Sequence, residues 1–138
     1  MLVAEAGKYL QAQGLGVFDE HGSTGDIYCE VLPDKPDDVI MVRSTTGPAP
    51  DSRDHDQPDL QVIVRGADML ATQQRAQNVY DTLHGFTNAV FVDGGTWIVL
   101  CYSLQSGPAY LDRDENERHE YSLNFRLRVK NENRRHLV

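Results

Sequence analysis

The chain has 138 residues, 40% of them hydrophobic and 25% charged; a domain of that length buries roughly two-thirds of its unfolded surface, so 1–138 reads as a single domain around one core. The formal net charge of −8 argues against a surface that gains affinity by neutralising nucleic-acid phosphates; it would repel DNA weakly, or simply keep a small domain in solution. The stretch MLVAEAGKYLQAQG holds an acidic Glu5 and has no basic start, which excludes a signal peptide or membrane span there and implies a cytoplasmic protein unless it is carried out within a larger assembly.

Leu2, Val3, Ala6, Tyr9 and Leu10 recur at intervals of three and four, predicting an amphipathic helix that stops at Gly14. A polar loop over 17–24 follows. A short strand is predicted over 26–32, ended by Pro33 and Pro36 in a turn. The apolar run Val39, Ile40, Met41, Val42 has the pattern of a strand buried on both faces. Residues 44–59 carry three prolines and a cluster of aspartates without apolar periodicity and predict a long exposed loop, of the kind that often binds or moves. Asp51, Asp54, His55 and Asp56 invite a metal reading, but their spacing matches neither a calcium loop nor a zinc site, so a solvated acidic loop is expected.

The strongest local signal is 60–85. Leu60, Val62 and Val64 alternate with Gln61 and Arg65, predicting a strand with one buried face. Asp68 is placed to cap a helix whose Ala76, Val79, Tyr80 and Leu83 share a stripe, and Gly85 to end it in a left-handed conformation. His84 suits the negative helix terminus. Asp93-Gly94 between two apolar runs predicts a tight hairpin. LDRDENERHE reads as a charged loop. Over 119–129, Tyr121, Leu123, Phe125, Leu127 and Val129 share one face of a last strand. A polar tail covers 130–138. The sum is an α+β fold: a mainly antiparallel sheet of about five or six strands with two helices on one face.

No P-loop, G-x-S-x-G, H-E-x-x-H or dinucleotide fingerprint is present, so neither a catalytic residue nor a cofactor is expected. The five histidines are scattered, and the carboxylate pairs lie in hydrophilic stretches where they stay ionised. Cys29 and Cys101 fit no metal spacing; they are two free thiols or, alternatively, one disulfide.

Several blocks together carry a resemblance: GLGVF after the first helix, LPDKPDDVIMV, TTGPAPD, DLQVIVRGAD leading into NVYDTLHG, and SLQSGPAYLDRDENERHEYSLNFRLRV. In their order and spacing, end to end, the chain resembles the minor capsid or tail terminator proteins of long-tailed bacteriophages. The resemblance implies a virion protein of the tail and neck, made in the host cytoplasm. It would form a ring of six copies at the head-proximal end of the tail tube. Such a ring stops tube polymerisation, meets a head-completion or connector protein, and lets DNA pass through its lumen without specific binding or any membrane contact. Alternatives are a head-tail connector and, from another class, a small metal-dependent hydrolase using Asp54 and His55.

A closed ring needs two different patches on each copy. The exposed elements able to reach a neighbour are the 44–59 loop with Asp51, Asp54 and Asp56, the charged loop with Asp112, Arg113, Asp114 and Asn116, and the tail with Arg134 and Arg135. Their opposite charges suggest that one copy's tail meets acidic surface on the next.

Overall fold

The computed structural model describes residues 2–20, 24–50 and 55–130. Two helices, α1 (Leu2–Ala12) and α2 (Met69–Leu83), accompany eight strands: β1 (Ile27–Cys29), β2 (Val39–Thr45), β3 (His55–Asp56), β4 (Asp59–Gly66), β5 (Phe86–Val90), β6 (Trp97–Ser103), β7 (Ala109–Arg113) and β8 (His119–Lys130). The α+β class is as expected; the strand count is higher, for a topological reason. The sheet order is β1-β2-β4-β8-β6-β5, with β3 and β7 each paired to β8. β3 and β4 run along one edge of β8, and β6 and β7 along its other edge. Each pair is thus one interrupted path, and six paths cross the sheet. Every pairing is antiparallel except β1 with β2.

β8 organises this arrangement. Its alternation works as predicted: Tyr121, Leu123, Phe125, Leu127 and Val129 are all buried. By register, Ile40, Val64 and Tyr121 lie across one row, and Val42, Val62 and Leu123 across the next. These rows meet Val3, Ala6 and Leu10 of α1 and Ala76, Val79 and Leu83 of α2 in one cluster, so both helices cover the same face. α1 touches β1 and β2 near one edge, while Tyr9 meets Phe86 and Phe91, at 5.1 and 5.2 Å between ring centres, near the other.

The ends of α2 form as their residues dictate. The Asp68 carboxylate accepts the Ala71 amide at 2.8 Å, satisfying one of the orphan donors of the first turn. Gly85 leaves the helix at φ +84°, a conformation that a Cβ would disfavour. His84 is the C-cap, and its Nδ1 accepts the Ser103 amide at 2.9 Å.

Six expectations need correction. The strand placed at 26–32 is only Ile27–Cys29, since the chain turns at Glu30 with φ +69°. β4 is buried on both faces, not one, because the 33–38 turn covers its second side; Ile63 is 8% and Arg65 3% exposed. The loop placed at 44–59 is shorter: Ser44 and Thr45 extend β2, and His55 and Asp56 pair with Lys130 and Val129 of β8. Gly47 allows the close approach, since a Cβ there would overlap the Gln57 carbonyl oxygen. The tight turn at Asp93-Gly94 is instead a connection over 91–96, although the hairpin itself forms. Phe91 turns into the core, and Glu5 of α1 accepts the Thr96 amide at 2.7 Å, so the flanking residues leave the ladder. Finally, the charged loop at 111–120 contains the end of β7 and the start of β8, leaving 114–118 as the turn. Lys130, placed at the start of the tail, belongs to β8.

Candidate assembly surface

The sheet face opposite the helices is divided along its length. At the His119 end of β8 it is closed by two arginines. Arg65 donates to the carbonyl oxygens of Pro36 at 2.7 Å, Asp37 at 3.2 Å and Asp34 at 3.4 Å. Arg118, 6% exposed, donates to the Asp34 carbonyl, and pairs with the carboxylates of Asp114 at 2.8 Å, Asp34 at 3.3 Å and Asp37 at 3.4 Å. Burial pushes the Arg65 guanidinium down, and the nearby Arg118 charge adds to that. For Arg118 burial acts the same way, but the hydrogen bond and charge of Asp114 outweigh it and hold the proton more firmly.

Asp114 ties the β7–β8 turn together. Its Oδ1 accepts the amides of Asn116 and Arg118, each at 2.9 Å. Burial pushes its carboxyl up, yet these bonds and the guanidinium win and hold it below its ordinary 3.8. A depressed folded pKa means stabilisation that is present above about pH 4 and lost as pH falls through the folded value. Protection of the Asn116 and Arg118 amides against hydrogen exchange should therefore be present at about pH 6 and weaker at a pH below about 4, and Asp114→Ala should lose it at both. Protection equal at the two pH values would contradict this role. Glu120 works in the opposite sense: burial, then the Asp114 charge, raise its pKa against the pull of Arg65 and Arg118.

At the Lys130 end the same face carries open polar rows. Arg43 donates to Gln61 at 2.6 Å, Gln61 to Ser122 at 3.2 Å, and Asn124 to Gln105 at 2.9 Å. Arg126 grips Asp59 through two bonds of 2.9 and 3.0 Å, and the rings and stems of Tyr102, Leu100 and Arg128 lie beside it by register.

The predicted interface residues separate accordingly. Asp112 and Arg113 sit on β7, all of whose residues are exposed; Arg113 pairs with Glu117 at 2.8 Å. Asp114 and Asn116 are used internally, the latter reaching Asp34 at 3.4 Å. Asp56 lies on β3, half-buried, at the rim of an open cleft of about 760 Å³ that also includes Glu5, Trp97 and Lys130. Asp51, Asp54, Arg134 and Arg135 lie outside the described residues. The pairing of Asp54 with His55 as a reactive centre is for that reason not on view, and among the described residues no group of three or more His, Cys, Asp or Glu could hold a metal. No described helix is long and apolar enough to cross a membrane.

Sequence reasoning missed Arg65 and Arg118. The available signal was an arginine inside a strongly apolar strand, directly before Gly66 and facing a proline-rich turn. It also missed the exposed apolar pair Tyr110 and Leu111, 45% and 51% exposed, which lie just before the stretch read as charged loop and at its start. The thiols are separate and free. Burial pushes Cys29 up to about 11 and Cys101 up to about 12, so both stay protonated at neutral pH and neither is a nucleophile.

In the described residues the polar groups noted above are tied into hydrogen bonds and ion pairs that hold the fold. The chain's family follows from comparison: residues 9–131 match the model of the family described as "Bacteriophage tail terminator protein", and the chain belongs to that family. Among solved structures it is similar to a chain of the "Virion of native gene transfer agent (GTA) particle", with a TM-score of 0.67 at 18% identity over 94% of this chain and 95% of that one. At that identity the likeness establishes the fold. No curated protein matches. The chain is a tail-related structural protein of a phage-type virion.

Proposed function

We propose that this chain, acting as one domain, forms a ring of six copies on the head-proximal end of a tail tube, ends tube polymerisation there and presents a surface to the head-side completion or connector protein. The observation that carries the reading is the family match across 9–131, supported by a fold shared over nearly its whole length with a virion chain. The role is one of contact without catalysis. A net charge of −8 suits a wall past which DNA slides without adhering. The proposed contact surfaces are the β7–β8 hairpin with Asp112, Arg113, Asp114 and Asn116, the 46–58 connection with Asp51, Asp54 and Asp56, and the C-terminal stretch with Arg134 and Arg135.

Adding the protein to polymerising tail-tube protein tests this. Tube growth should stop with one ring at one end, seen by electron microscopy as shorter tubes. Tube lengths unaffected by a stoichiometric excess, together with binding to portal or adaptor rings, would mark it as a connector instead.

A further inference from the structure

β8 leaves the sheet at the rim of a cleft. Its last residues are held on both flanks: Val129 pairs with Asp56 of β3 on one side and with Ile98 of β6 on the other, and Lys130 pairs with His55. Val129 and Lys130 both line the open cleft of about 760 Å³, to which α1 contributes Leu2, β5 Val90 and β6 Trp97.

That volume lies within the range of clefts that hold a small ligand, and apolar side chains are left partly open in it. Trp97 is 42% exposed, and Leu2 and Val90 are half-buried. Covering them would remove further apolar surface from water. The attraction of the cleft is not one of charge: the Glu5 carboxylate is spent on the amide and hydroxyl of Thr96, at 2.7 and 3.3 Å.

The chain itself supplies a cover. Residues 131–138 follow Lys130 and read NENRRHLV, six polar residues and then Leu137 and Val138. Six residues span at most about 20 Å, so the apolar pair can reach across a cleft whose rim is Lys130. A segment tethered there acts at an effective concentration of about millimolar. A small apolar contact is then enough to seat it, whereas an untethered partner must also offset the cost of association.

We infer that Leu137 and Val138 seat in the cleft of their own copy, against Leu2, Val90 and Trp97. The inference stands apart from the ring reading. Arg134 and Arg135 belong to the polar spacer and stay available to the neighbour proposed above.

Trp97 is the one tryptophan of the chain, so its fluorescence reports directly on the cleft. The full-length protein is compared with the Leu137→Ser, Val138→Ser variant and with a chain ending at Lys130, urea unfolding confirming that all three share one fold. Both changed proteins should shift Trp97 emission to longer wavelength and lose protection against quenching by acrylamide. The free peptide NENRRHLV, added in excess to the shortened chain, should restore both signals. Wild-type emission should not change on dilution, as befits a contact within one chain. Emission and quenching that are equal in all three proteins would overturn the inference. A wild-type spectrum that moves to the variants' position on dilution would give the seat to the tail of a second copy, and would overturn it as well.

Discussion

Phe125→Ala lowers the free energy of unfolding by about 3–5 kcal/mol, the range for emptying a buried aromatic site. Phe125 is wholly buried on the strand shared by both halves of the sheet, opposite Leu60 on one side and Ser103 on the other. The ladders on both flanks restrain the backbone, so the cavity cannot readily collapse. Domains of this size are stable by only about 5–15 kcal/mol, and the variant should unfold at far lower urea with an unchanged slope. A loss below about 1 kcal/mol would mean that the site repacks, contrary to the central place given to β8.

Arg65→Met should cost about 2 kcal/mol, because it removes the charged donor of the Pro36 and Asp37 carbonyls, while Arg118 still reaches that of Asp34. The methionine fills similar volume, which separates the lost hydrogen bonds from lost packing. Arg65→Lys should recover only part of the stability, since one ammonium cannot span three acceptors that the guanidinium fork reaches. Urea unfolding measures both, and loss of structure in the variant should begin in the 33–38 turn. A methionine variant as stable as the parent would show that the turn is held by something else.

These two sites mark what could be read in the chain and what could not. Phe125 was legible because its strand alternates strictly, and alternation reports a buried face directly. So was α2, whose cap, stripe and terminal glycine all agree. Arg65 was not legible as a clamp: its role depends on a turn that is nearly thirty residues earlier in the chain and lands on β4, and periodicity contains no such long-range term. β7 escaped for a related reason. An edge strand exposed on both faces carries no buried stripe, so its residues read as loop, and only the ladder with β8 makes it a strand. The connection around 46–58 was overestimated because proline and aspartate mark turns correctly but do not reveal that two residues between them pair with β8.

The candidate surface was legible in part. The charged hairpin was singled out and its β7 arm is exposed, but Asp114 and Asn116 spend their hydrogen bonds on the turn and on Asp34, while Arg43 on the open face drew no notice. Charge in a strand is ambiguous in sequence, since it can be buried with partners, as Arg65 is, or displayed, as Arg43 is. Only the register decides between them.

The proposed function requires copies of this chain to assemble into a closed ring on a tail tube. Native mass measurement of the purified protein, alone and with tail-tube protein, tests it most directly. The expected species contains six copies of 15.5 kDa, formed at least in the presence of the tube; a 15.5 kDa monomer under both conditions would rule the ring out.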